Sequence, residues 1–358
     1  MQEPYGKIEG LTADCSALSW RTADGKHLWG RNFDSDRLPE NSRVTFVPKG
    51  TVYRISDWET SRCAAYAALG IGLPTWPDRP ILYEGINQMG LMGGQLLYRE
   101  FAKYPSASRP GTQPLQPPLA VYHVLAQCAD VEQAATLLEK DVTLVGEPLW
   151  GMVPPLHWAF SDRSGETLVV EPDATGLHLH RNTLGVLTNS PGYPWHRLHL
   201  LNFAGLRDLD HDAPDWDGQV IPACFSGSGA QGLPGDWSAP ARFVRLCFLK
   251  RYAVPGRNEE QGVMRMLRLF ESAAFPLGAV RLAEGGFPAA PDRLPVYDYT
   301  LYTSVMCAES LRFYWTTYEN PQVQYIDLGG LQDRTQPLHW PLSTHPDLIC
   351  RTADGAVP

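Results

Sequence analysis

Three residues near the start of the chain have the types and spacing to build a reactive thiol: Cys15, Arg31 and Asp34. Cys15-Ser16-Ala17-Leu18-Ser19-Trp20 alternates small or polar residues with larger apolar ones. Ala23-Asp24-Gly25-Lys26 supplies a turn, and His27-Leu28-Trp29-Gly30-Arg31 returns. Pairing 15 to 20 with 27 to 32 brings Arg31 and Asp34 back to the end of the strand that starts at Cys15. A guanidinium beside a thiol favours the thiolate, lowering its pKa from about 8.5 and supplying a nucleophile near neutral pH. Taken singly, Cys15 reads as a small buried hydrophobe, and Arg31 with Asp34 as a surface ion pair. The hairpin is what makes them a candidate site.

Other chemistries find less support. Gly227-Ser228-Gly229 has neither the GxSxG spacing of a nucleophile elbow nor the GK[ST] of a phosphate loop, and reads as loop. His178 and His180 share a strand face without a third ligand, and the ten histidines contain no HExxH, so neither a metal nor a cofactor is expected. The seven cysteines form no CxxC pair, which speaks against a zinc ribbon or a disulfide framework. A net charge of -9 argues against the basic surface that nucleic acid requires and leaves a small-molecule substrate. Residues 1 to 14 lack an apolar signal core, and no run reaches the roughly 18 apolar residues of a membrane span. A cytoplasmic location is expected, or a periplasmic or secreted one if an upstream signal is missing.

Positioning such a site requires a layered core. Strands are expected at 15 to 20, 27 to 32, about 44 to 54, 63 to 70 and 81 to 98, the last interrupted by Gly90, Gly93 and Gly94. Two helices follow within 117 to 138, with Asp130 as a cap between them. A second β block covers 156 to 161, 166 to 171, 177 to 181 and 184 to 188. Helices near 241 to 252 and 259 to 273 precede closing strands at 297 to 306, 311 to 318 and 322 to 328. Strands in long runs and helices in pairs predict an α+β fold of antiparallel sheets with flanking helices.

The start Cys15-Ser16-Ala17-Leu18-Ser19, with Arg31 and Asp34, resembles mature enzymes of the choloylglycine hydrolase family, which contains penicillin V acylases and conjugated bile salt hydrolases. The likeness continues through Asn87-Gln88-Met89-Gly90-Leu91-Met92-Gly93, Pro154-Pro155-Leu156-His157-Trp158 and Thr188-Asn189-Ser190-Pro191-Gly192-Tyr193-Pro194-Trp195-His196. It extends to Gly232-Leu233-Pro234-Gly235-Asp236, Ala241-Arg242-Phe243 and Tyr299-Thr300-Leu301-Tyr302-Thr303-Ser304. Several long motifs in one order make the resemblance specific.

It implies an N-terminal nucleophile hydrolase: an αββα four-layer sandwich of two antiparallel sheets, with residues 1 to 14 a self-removed propeptide and 15 to 358 a single domain. Cys15 falls on the family nucleophile, whose freed α-amine takes the thiol proton after the bond from Asp14 is cut. Asp34 falls on the aspartate that orients the amine, Arg31 on the arginine beside the thiol, and Arg242 on the last active-site arginine. Asn189 falls on the side-chain oxyanion donor, and Leu97 on the backbone donor. Asn32 leans towards bile salt hydrolases. Met92-Gly93-Gly94, Leu97-Tyr98 and Ser190-Pro191-Gly192-Tyr193 lean towards penicillin V acylases, and the balance favours that side. Conjugated bile salts and N-acyl homoserine lactones are the alternative substrates; an unprocessed scaffold protein is the alternative outside enzymes. The stretch 200 to 232 resembles the extension through which family members form homotetramers.

Overall fold

The computed structural model describes residues 14–57, 61–74, 78–149, 151–222, 225–282 and 296–348. Apart from Asp14, the expected propeptide lies outside the described residues.

The hairpin forms as the sequence predicts and runs slightly longer. Asp14–Arg21 pairs antiparallel with His27–Ser35, setting Asp14 opposite Asp34, Cys15 opposite Phe33 and Ala17 opposite Arg31. Gly25, at φ +91°, takes the left-handed turn position that a residue with a Cβ resists. The return strand is buried on both faces, as the middle of a covered sheet must be. Its other edge pairs with Tyr297–Cys307, placing Thr300 opposite Asp34 and Ser304 opposite Arg31. Val186–Leu187 flanks the hairpin; Arg312–Thr317 and Gln324–Asp327 extend the other side.

Among the described residues a second, eight-stranded antiparallel sheet runs in the order Gly176–His180, Thr167–Asp173, Leu156–Ser161, Met92–Leu97, Ile81–Asn87, Ala68–Leu73, Arg43–Val47, Leu338–Pro341. The sheets meet closely at Gly94, where a Cβ would stand 2.9 Å from the Trp29 ring. On the outer side of the first sheet, a Cβ at Gly30 would stand 3.2 Å from Phe270 of the Glu259–Glu271 helix. The Ala239–Tyr252 helix covers the hairpin, and Ala120–Gln127 covers the second sheet. Helix, sheet, sheet and helix are therefore stacked in four layers.

Expected elements differ in detail. The strand expected at 44 to 54 is two, Arg43–Val47 and Val52–Tyr53, because Pro48-Lys49-Gly50 turns the chain with Gly50 at φ +83°. The strand expected at 63 to 70 is likewise split into Arg62–Cys63 and Ala68–Leu73. Asp130 caps its helix by accepting from the Gln133 N–H at 2.8 Å. The Tyr193–His199 helix and the Leu338–Pro341 edge strand were not expected; both are too short for a periodic pattern. No helix among the described residues is long and apolar enough to cross a membrane.

Candidate active site

Cys15, Arg31, Asp34, Asn189, Arg242 and Leu97 come together where the hairpin faces the second sheet. Arg31, fully buried, directs Nη2 at the Cys15 Sγ. Its Nη1 donates to the Gln95 carbonyl at 2.7 Å and to Glu84 Oε2 at 3.2 Å, so the guanidinium bridges the two sheets. Glu84 also accepts from the Tyr302 hydroxyl at 3.0 Å and from Ser304 Oγ at 3.3 Å. Burial raises its pKa to about 7 against the pull of Arg31.

The Cys15 backbone is held as firmly as its side chain. Its N–H donates to Asn189 Oδ1 at 2.9 Å, and its carbonyl accepts from Arg242 Nη1 at 2.5 Å. Arg242 also reaches Ser16 Oγ and Asn189 Oδ1, each at 2.8 Å, and its Nε is fixed on the Trp237 carbonyl at 2.8 Å. It sits in the first turn of a helix capped by Ser238, so the helix start aims the guanidinium at the hairpin end. Asn189 Nδ2 donates to the Leu97 carbonyl at 2.9 Å. The next residue, Tyr98, donates its N–H to Pro155 on the opposite edge, so by strand alternation the Leu97 N–H lies on the Asn189 side.

Burial overrides the acidification expected of Cys15. With Asp14 preceding it, Cys15 is not acidified: burial pushes its thiol up to about 12, outweighing the Arg31 charge, with Asp34 and Asp14 adding to the rise. Asp34 is raised to about 7, again by burial, opposed by Arg242 and by the Thr300 hydroxyl bonded to Oδ1 at 2.5 Å. Its other oxygen, Oδ2, is buried with no hydrogen-bond partner. Sequence reasoning missed Glu84 and Gln95, and gave no role to Ser16 and Thr300, although both lie inside motifs that carry the resemblance. Glu84 left a signal, a lone carboxylate in the apolar run Ile81-Leu82-Tyr83-Glu84-Gly85-Ile86. His178 and His180 are strand neighbours with rings 6.2 Å apart, and no metal-holding cluster occurs among the described residues.

The profile of the linear amide C–N hydrolases, choloylglycine hydrolase family, matches residues 15–336. The chain belongs to that family. As such it is an enzyme that hydrolyses carbon–nitrogen bonds in linear amides. A bile salt hydrolase/transferase of Clostridium perfringens is 30% identical over 317 residues, 88% of this chain and 92% of that one. One of Lactiplantibacillus plantarum is 26% identical, over 92% and 97%. The solved conjugated bile acid hydrolase of Clostridium perfringens superposes with a TM-score of 0.84 at 28% identity, covering 94% of this chain and all of that one. Penicillin V acylase from Agrobacterium tumefaciens, at 20% identity and a TM-score of 0.68 over 89% and 87%, shares the fold. That fold is the N-terminal nucleophile hydrolase sandwich of the choloylglycine hydrolases.

Proposed function

We propose that the chain is a self-processed cysteine amidohydrolase in which Cys15 is the nucleophile and its liberated α-amine the base. The observation that carries this reading is the partnerless, buried Oδ2 of Asp34, directly across the hairpin from Asp14. A carboxylate oxygen so placed costs stability unless a donor reaches it. The α-ammonium created at Cys15 is such a donor, and it removes the Asp14 carboxylate from the same neighbourhood. Processing starts when the Cys15 thiol attacks the Asp14 carbonyl carbon; the peptide C–N bond breaks, the amine is freed and water hydrolyses the thioester. The family match that begins at residue 15 is in keeping with cleavage there.

In turnover the free amine takes the Cys15 proton, and Sγ attacks the substrate carbonyl. The Asn189 amide and the Leu97 N–H stabilise the oxyanion, a contact worth about 3 kcal/mol of barrier. The ammonium then protonates the leaving amine, and water resolves the thioester. Glycine or taurine conjugates of bile acids are the first substrates to test, given the relatives above. Penicillin V is the second, favoured by Leu97-Tyr98 and by Tyr193. We also assign a homotetramer: Leu198, Leu201, Leu209, Trp216, Val220 and Ile221, in and around the 200 to 232 extension, are each more than half exposed.

Intact-mass measurement tests the mechanism. The wild-type chain is expected to lose residues 1 to 14, and the Cys15→Ala chain to keep them. A wild-type chain that keeps them and still hydrolyses amides sinks the proposal. Comparing kcat/KM for glycocholate, penicillin V and a long-chain acyl homoserine lactone ranks the substrates.

A further inference from the structure

The mechanism leaves a buried polar cluster beside Asn189 unused. His157, fully buried on the Leu156–Ser161 strand, places Nε2 3.0 Å from the Thr188 carbonyl and Nδ1 3.2 Å from Glu171 Oε1. The Thr188 carbonyl can only accept, so Nε2 is the donor to it, and Glu171 holds the other ring nitrogen. Glu171, also buried, takes further bonds from His180 Nε2 at 3.2 Å and from the Tyr193 N–H at 3.0 Å. Tyr98 lies flat on the imidazole, its ring centroid 4.7 Å away and 4° from parallel. His196 Nε2 meets the Asn189 carbonyl at 2.9 Å, and Ser190 Oγ donates to the Arg99 carbonyl at 2.7 Å.

The Thr188 carbonyl belongs to the peptide plane that ends at the Asn189 nitrogen, so a donor on it sets where the Asn189 side chain starts. We propose that His157, held by Glu171, is a positioning residue that fixes this plane and thereby aims the Asn189 amide at the oxyanion. The inference rests on the reading of Asn189 as an oxyanion donor. Hydrogen-bond donation to a developing charge is steeply geometric, and a displacement of about 1 Å costs on the order of 100-fold in rate. A packing role would act instead on stability and on substrate affinity.

Two substitutions separate the donors. His157→Asn keeps a donor near Glu171 and loses the one to Thr188, whereas the longer His157→Gln reaches Thr188. In the processed enzyme His157→Asn should lower kcat about 30-fold with KM within about 3-fold, and His157→Gln should recover to within about 5-fold of the parent. Combined with Asn189→Ala, His157→Asn should cost less than about 3-fold, because the group it positions is gone. If His157→Asn multiplies the Asn189→Ala loss by its full factor, matches His157→Gln, or changes kcat less than about twofold, the positioning role is overturned. Glu171→Gln, which preserves shape, carries the same cycle if the histidine variants do not fold. An Asn189→Ala enzyme within about twofold of the parent would sink the oxyanion reading instead.

Discussion

Around Cys15 and Asp34, burial outweighs charge: a thiol touching a guanidinium is pushed up to about 12, and a carboxyl near two arginines to about 7. The sign of the Asp34 shift makes a prediction. Its folded pKa lies above the unfolded value of about 3.9, so ionisation in the uncleaved chain costs stability. The cost is absent below about pH 4, grows as pH rises towards 7, and is complete above that. Asp34→Asn on a Cys15→Ala background should therefore be neutral at pH 4 and stabilising by at least about 1 kcal/mol at pH 8, read as the difference in urea unfolding. A gap independent of pH would mean that Asp34 is not strained by its charge. Arg31 shows the converse. Arg31→Met leaves Glu84 buried without its cation and should cost about 3 kcal/mol in the same measurement, while an unchanged midpoint would assign the pair no role in stability.

At the scale of elements, the hairpin was legible because a period-2 pattern on either side of a Gly-containing turn leaves little freedom of register. Convergence of Arg31 and Asp34 on Cys15 followed from it. What positions them was legible only in part: Glu84 stands out as a lone carboxylate and Thr300 lies in a recognised motif, but the pairing that brings them and Gln95 to the site from strands far away in sequence leaves no local signal. His157 and Glu171 lay inside recognised motifs and strands, but only their side-by-side strands and a turn at 188 to 190 bring them to Asn189. The closeness of the two sheets gives a test. A Cβ at Gly94 would meet Glu84 Cβ at 2.7 Å and the Trp29 ring at 2.9 Å, next to the Gln95 carbonyl that Arg31 grips. Gly94→Ala should cost about 2 kcal/mol and slow thioester formation, as the sheets separate where the guanidinium spans them. Gly111→Ala, at φ +81° with nothing within 4 Å, is the control: it should cost about 1 kcal/mol and leave the chemistry alone. Equal effects on the rate would remove the argument from sheet spacing.

For the whole molecule, the site and the exposed apolar surface are built from different parts of the chain. The candidate site draws on the hairpin, the second sheet, the bend that carries Asn189 and one helix start. The apolar side chains project from 198 to 221, where Leu201, Leu209 and Trp216 are each about two-thirds exposed or more. Apolar exposure on this scale is stable when another surface covers it, and a second copy of the chain offers the same patch in return. If the proposed tetramer forms, Leu201→Lys with Trp216→Glu should reduce the mass seen by light scattering from that of four copies to that of a smaller species. Because Cys15, Asn189 and Arg242 bond to one another within one chain, the separated species should keep kcat within about 3-fold. A wild-type chain already monomeric at micromolar concentration would remove the assembly, and a dissociated variant that lost all turnover would show that neighbouring copies complete the substrate pocket.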